Sequence, residues 1–224
     1  QTNMGASYSR NAGVQNANNK LIAFLDSDDI WADDKLEKQI RLISKKKDIH
    51  MVYCAQDGIT LHRGNVLDKL LDGWIAPNPS TLVFKKTIYS KLNGFDESLQ
   101  ACEDHDFWFR FSKKGYFVDY VDEELTTFTN DADNRLSHDY VLRIEAAKIF
   151  LKKWQIFIYE NRNKEHYKIF YSNYIITVLY PIIINNLKQF KFLSCLKIYI
   201  KYFYLDMNFY NRFIKYLKKR IVNS

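Results

Sequence analysis

Leu21-Ile22-Ala23-Phe24-Leu25-Asp26-Ser27-Asp28-Asp29 is the stretch whose reading decides the fold. A short apolar run of this kind is what a buried parallel strand presents. It ends in three carboxylates within four residues. Open α/β sheets place their ligands at the carboxyl ends of strands. Carboxylates this close repel one another unless solvent or a cation relieves them. At a strand end they form an oxygen-rich site suited to Mg²⁺ or Mn²⁺. The plainer reading is an acidic turn that caps the following helix, and the Asp-Ser-Asp spacing alone does not choose between the two.

Two other motif readings can be tested on the same residues. A calcium loop of the EF-hand type starting at Asp26 would put Glu37 at its twelfth position, but Trp31 stands at the sixth, where the turn requires Gly. That reading is rejected. An apolar strand followed by Asp-x-Asp also occurs in aspartyl-phosphate phosphatases, with the first Asp as nucleophile and the second as acid/base. It leaves the surrounding residues unexplained and stays a minor alternative.

Outward from this stretch the pattern alternates between strand and helix. Ser9–Asn19 holds small, helix-tolerant residues. Asp33–Lys47 reads as an amphipathic helix with Leu36, Ile40 and Ile43 on one face and Asp33 or Asp34 as N-cap. Met51–Cys54 and Thr81–Phe84 read as strands, the latter after a loop punctuated by Pro77 and Pro79. Thr87–Leu92 predicts a short helix closed by Asn93-Gly94. Glu103–Lys114 predicts a helix with Phe107, Trp108 and Phe111 inward, ended by Gly115. Tyr116–Val121 and Leu125–Thr129 predict strands. From His138 onward the pattern is mostly helical, with aromatic-rich segments at Ile169–Ile184, Phe192–Tyr204 and Phe209–Ile221.

Charge divides the chain in two. Residues 151–224 carry 14 Lys/Arg against 3 Asp/Glu, whereas residues 1–150 carry 19 against 23. We therefore expect two regions with different partners: an acidic part over 1–150 that suits metal binding, and a basic, aromatic-rich helical part over 151–224 that suits an anionic surface. Cys54, Cys102 and Cys195 are scattered, with no zinc spacing, which points to a reducing compartment. The longest apolar run, Tyr174–Ile184, falls short of the roughly 20 residues of a spanning helix. No nucleic-acid-binding module is recognisable, and nucleic acid is not an expected partner.

The ordered set of motifs carries a resemblance. Arg10-Asn11-Ala12-Gly13 precedes the strand. Asp26-Ser27-Asp28-Asp29-Ile30-Trp31 and Lys35-Leu36-Glu37-Lys38-Gln39 follow it. Gly94-Phe95-Asp96-Glu97 and Glu103-Asp104-His105-Asp106-Phe107-Trp108 come later. Over roughly residues 3–130 this order and spacing resemble the family 2 glycosyltransferases of the GT-A fold. The resemblance implies an α/β fold, a mixed sheet flanked by helices, with the helical region appended. It implies inverting transfer of a sugar from a nucleotide-sugar donor to a glycan or lipid-linked acceptor, as in surface polysaccharide synthesis. By match to the family's motifs, Asp26 lies near the donor ribose and Asp28 binds the divalent cation, Mn²⁺ or Mg²⁺. Asp104 is the catalytic base, and Glu103 contacts the acceptor or orients the base. Arg10 and Asn11 match the Arg-Asn pair, as donor contacts or as braces of the loop. Trp74 is an acceptor-site candidate, and Trp31 and Trp108 read as packing residues.

Two departures from the family pattern shape the expectations. The strand–helix–strand unit that holds the nucleotide base in family members does not precede Arg10, so an incomplete GT-A core is expected. No His follows the last core strand as a third metal ligand; Asn130 and Asp131 stand there. The expected location is cytoplasmic. The aromatic and lysine pattern of 151–224 suits peripheral contact with the inner face of the cell membrane, or equally a helical subdomain with a solvated basic face. The alternative to an enzyme is a non-catalytic remnant whose basic tail binds membrane or a partner.

Overall fold

A computed structural model describes residues 4–129 and 140–188. The chain forms two compact units, Gln1–Arg135 and Leu136–Ser224.

The first unit is built on a mixed four-stranded sheet of order β1-β4-β3-β5. Its strands are β1 (Leu21–Ala23), β3 (Ile49–Ala55), β4 (Leu82–Lys85) and β5 (Phe117–Glu124). β4 runs antiparallel to both β1 and β3, and β3 and β5 are parallel. A second sheet pairs β2 (Asp29–Trp31) with β6 (Thr126–Phe128), antiparallel. Helices α1 (Gly5–Asn16), α2 (Lys35–Lys45), α3 (Leu67–Leu71), α4 (Lys86–Lys91) and α5 (Glu103–Lys113) complete the unit. The mixed sheet flanked by helices is the fold that the resemblance implies.

Helices cover both faces of the four-stranded sheet. Val52 packs with Ile43 of α2. Its neighbour Tyr53 points the other way, and its ring lies 6.0 Å from that of Trp108 on α5. Alternation along a strand dictates this division. Phe24, Phe84, Tyr89, Phe95 and Phe107 form an aromatic core beside β1, with Phe84 and Tyr89 stacked at 5.4 Å.

Three local expectations are corrected. The strand at Leu21–Leu25 stops at Ala23 and pairs antiparallel with β4. Phe24 leaves it for the aromatic core, and Leu25 is 48% exposed. The acidic turn leads into a strand, β2, that was not expected. Finally, α2 buries Lys35, Gln39 and Ile43, while Leu36 and Ile40 are exposed.

That polar face has a physical reason. Gln39 Nε2 donates to the carbonyls of Thr81 (2.7 Å) and Val52 (3.2 Å), which would otherwise compete for donors inside the core. Lys35 Nζ completes the amide by donating to Gln39 Oε1 at 2.8 Å, and it sits 4.2 Å from the centre of the Trp31 ring.

Lys35 is fully buried, and burial lowers its pKa from 10.5 to about 8, against a small opposing effect of Cys54. Between these values the unfolded chain holds a proton that the folded chain has released. Stability from this group therefore rises as pH climbs from about 8 towards 10.5. Urea unfolding of wild type and Lys35→Met should diverge over that window in favour of wild type. A difference that stays flat with pH would refute the assignment.

The second unit contains α6 (Tyr140–Asn161) and α7 (Lys164–Lys188), joined at Arg162-Asn163. Asn163 Oδ1 accepts from the amide of His166 at the start of α7. The helices pack through Phe150 and Tyr174, stacked at 4.9 Å, and through Tyr167 OH donating to the Leu151 carbonyl. Among the described residues no helix is long and apolar enough to cross a membrane. The segments expected at Phe192–Tyr204 and Phe209–Ile221, together with Asn130, Asp131 and His138, lie outside the described residues.

Candidate active site

Three motifs far apart in sequence meet at Arg10. Its Nη2 donates to both carboxylate oxygens of Asp26, at 2.7 and 2.9 Å, and its Nη1 donates to Glu103 Oε1 at 2.7 Å. Arg10 projects from α1, Asp26 from the turn after β1, and Glu103 from the first turn of α5. The guanidinium also lies 5.5 Å from the centre of the Phe95 ring, which fixes its plane. Side-chain exposure is 13% for Arg10, 31% for Asp26 and 14% for Glu103, so the pairs are shielded enough to matter. Burial disfavours the Arg10 charge, but Asp26 and Glu103 outweigh it and raise the pKa.

Glu103 is held well above the usual carboxylate range. Burial is the main cause, the neighbouring Asp104 adds to it, and Arg10 opposes both. Asp104 is partly exposed, and its Oδ1 accepts from the amide of His105 at 2.7 Å. Both residues begin α5, whose N-cap Cys102 adopts a left-handed backbone (φ 64°). Glu103, Asp104 and Asp106 load the positive end of the helix with negative charge, and Arg110 and Lys113 occupy its other end.

Asn11, next to the clamp, is turned to the loop after α4. Its Nδ2 donates to the Phe95 carbonyl (3.0 Å) and to Glu97 Oε1 (2.8 Å). Its Oδ1 accepts from the Phe95 amide and from Tyr89 OH. Gly94 has a left-handed backbone (φ +66°), and a Cβ there would stand 2.4 Å from Asn11 Oδ1. Only glycine allows this approach.

The carboxylate turn is tied down on every side. The Asp29 amide donates to the Asp26 carbonyl at 3.0 Å and closes the turn. The Asp26 amide donates to Ser80 Oγ at 3.1 Å, and the Asp28 carbonyl accepts from Thr129 Oγ1. Trp31 Nε1 donates to the Ser80 carbonyl and Trp74 Nε1 to the Thr60 carbonyl, each at 2.8 Å. Trp74 and Trp108 meet edge to face at 5.5 Å. Trp108 lies one helical turn after Asp104, which sets Trp74 beside α5.

An open cleft of about 770 Å³ runs between α1 and β1, bordered by Arg10, Val14, Leu25, Asp26 and Ser27. Its size suits a small-molecule site. Glu103 and Asp104 do not line it.

Asp26 and Asp28 differ in what their carboxylates can offer a cation. The Asp26 carboxylate is occupied by Arg10. Asp28 is partly exposed, and among the described residues no three His, Cys, Asp or Glu side chains group as a metal cage. Mg²⁺-like cations bind through one or two carboxylates plus substrate phosphates. The residues present fit a cation of that kind, held by Asp28.

Sequence reading missed Ser80, Tyr89 and Lys35. Lys35 stood in the Lys35–Gln39 motif with no role of its own, and nothing marked the hydroxyls of Ser80 and Tyr89 as functional.

Comparison with known proteins agrees with the motif order. An uncharacterized glycosyltransferase of Methanocaldococcus jannaschii is 29% identical over 205 residues, covering 81% of this chain and 68% of its own. TuaG of Bacillus subtilis, whose name assigns it provisionally to teichuronic acid biosynthesis, is 27% identical over 183 residues, covering 75% of this chain and 66% of its own. Two further curated glycosyltransferases, from Haemophilus influenzae and Rickettsia prowazekii, are spanned over 60% and 43% of their length. A mannosyltransferase of Pyrobaculum calidifontis, solved with GDP-Man and Mn²⁺, superposes with a TM-score of 0.47 at 14% identity, over 82% of this chain and 55% of its own. The model of the family described as "Glycosyltransferase like family 2" matches residues 1–140, and the chain belongs to that family.

Proposed function

We propose that this chain carries the catalytic carboxylates of an inverting glycosyltransferase that moves a sugar from a nucleotide-sugar donor to a hydroxyl of a glycan or lipid-linked acceptor. The observation that supports this best is the Arg10 clamp, which brings Asp26 and Glu103 to a single guanidinium. Asp26 faces the donor ribose. Asp28 holds a divalent cation, Mn²⁺ or Mg²⁺, which when bound neutralises the donor diphosphate. Asp104 takes the proton of the acceptor hydroxyl as that oxygen attacks the anomeric carbon and the nucleoside diphosphate departs. One displacement of this kind inverts the configuration. Glu103 orients the acceptor, with Trp74 as a sugar-stacking surface, and Arg10 and Asn11 keep the donor loop and its neighbour in place.

The relative named for teichuronic acid biosynthesis favours a role in surface polysaccharide synthesis. We also propose a cytoplasmic location; peripheral membrane contact through 151–224 is supported by Ile156, exposed on α6 beside Lys152 and Lys153.

Calorimetric titration with UDP, with and without Mn²⁺, tests the donor site. Mn²⁺-dependent binding is expected in wild type, weakened by about tenfold or more in Asp28→Asn. Binding indifferent to both changes, or no binding at all, would count against it.

A further inference from the structure

Ser80 contributes no ionisable group and lies outside every motif of the family pattern. It is nonetheless fully buried at the base of the carboxylate turn. Its hydroxyl accepts from the amide of Asp26, where the turn begins. Its carbonyl accepts from Trp31 Nε1 at 2.8 Å and from Thr126 Oγ1 at 3.3 Å. Trp31 and Thr126 are register partners in the two-stranded sheet, so that carbonyl holds the strand into which the turn runs. One residue thus fixes both ends of the segment 26–31.

Ser80 is itself held. Its amide donates to Asn78 Oδ1 at 3.0 Å, in a 3₁₀ turn whose Pro79 restricts the backbone. Thr81, the next residue, is gripped through its carbonyl by Gln39. The anchor is therefore part of the rigid core and not of a mobile loop.

We propose that Ser80 is the positioning residue of the donor–cation turn, setting where Asp26 and Asp28 present their carboxylates. The proposal rests on the reading of those two residues as donor and cation ligands. The Asp26 amide is part-buried, and losing its acceptor there leaves a desolvation cost that water only partly offsets. The Asp26 amide escapes that cost in Ser80→Ala by rotating outward, and the carboxylates move with it. The side chains of Trp31 and Thr126 donate to the backbone carbonyl of residue 80, and those bonds survive the substitution.

The test compares Ser80→Ala with Ser112→Ala, which deletes a buried hydroxyl that has no partner among the described residues. Two quantities are read: amide hydrogen exchange over 26–31 in the free protein, and the Mn²⁺ concentration at half-saturation with UDP fixed. In Ser80→Ala we expect faster exchange confined to 26–31 and a half-saturation point about tenfold higher. Ser112→Ala should change neither. Ser80→Cys, which keeps a weak acceptor, should give a smaller shift in the same direction and serves if the alanine variant does not fold. If wild type did not bind UDP at all, the donor reading would fall, and exchange alone would decide the role of Ser80. Unchanged exchange over 26–31 in Ser80→Ala overturns the proposal, as does an unchanged Mn²⁺ requirement where wild type binds.

Discussion

Asp104→Asn is expected to lower the rate of sugar transfer by about 10²–10⁴-fold while leaving the protein folded and the Mn²⁺-dependent binding of UDP intact. On the mechanism proposed above, the substitution removes the proton acceptor and little else. Asn keeps an oxygen for the bond that Asp104 Oδ1 accepts from the His105 amide. Losing one negative charge at a helix N-terminus costs about 0.3–1 kcal/mol, and less where solvent reaches the group. A fall in kcat with unchanged KM for the donor would mark a group that acts in the chemical step. The informative comparison is Glu103→Gln. Glu103 is 14% exposed and its pKa is raised by burial, while Arg10 occupies one of its oxygens. If Asp104→Asn kept its rate and Glu103→Gln lost it, the base would be Glu103, and the carry-over from the family motif would be wrong at that position.

The sequence made the motifs legible, but not the way they are assembled. Period and punctuation were enough to find α5, because Phe107, Trp108 and Phe111 repeat at helical spacing and Gly115 stops the helix. The same reasoning was right about Ile43 of α2 but not about Leu36 and Ile40, which are exposed. Hydrophobic periodicity selects Leu36 and Ile40, but the carbonyls of Val52 and Thr81 need donors, and Gln39 supplies them. A hydrogen-bond requirement imposed by strands far along the chain leaves no local signature. The β1 run reads as a buried strand on composition, yet half of it turns out of the sheet. Phe24 gains more by joining the aromatic core beside Phe84 and Phe95 than by extending a ladder.

Within the site, the same division holds. Asp26, Asp28, Glu103 and Asp104 were visible because closely spaced carboxylates are rare without a function or a helix end to stabilise them. That Arg10 would join two of these clusters was not visible, since it depends on α1 lying against both the turn after β1 and the start of α5. Ser80 and Tyr89 were invisible for a simpler reason. A serine hydroxyl or a tyrosine in a core says nothing about what it holds until its partner is known.

Arg10→Ala should be the most damaging single substitution to stability. Arg10 makes three charge-assisted bonds in a shielded position, and breaking such a pair from one side costs about 3–5 kcal/mol. Asp26 is exposed enough to recover part of its hydration, which places the expected loss near the lower end, about 3 kcal/mol. Glu103 recovers less, being enclosed and beside Asp104. The loss should therefore depend on pH with a definite sign. Without Arg10, the side chain whose charge and hydrogen bond lower the Glu103 pKa is gone, and that pKa rises further above its ordinary 4.5. The folded state then holds a proton that the unfolded chain has released, so stability falls as pH climbs through that interval. Urea unfolding at pH 5 and pH 8 should show a larger gap between variant and wild type at pH 8. Arg10→Lys should recover only part of the loss, because one ammonium cannot reproduce the fork that meets both carboxylates. A gap of equal size at both pH values would show that Glu103 does not carry the cost, and a lysine variant as stable as wild type would show that the charge of Arg10 matters and its geometry does not.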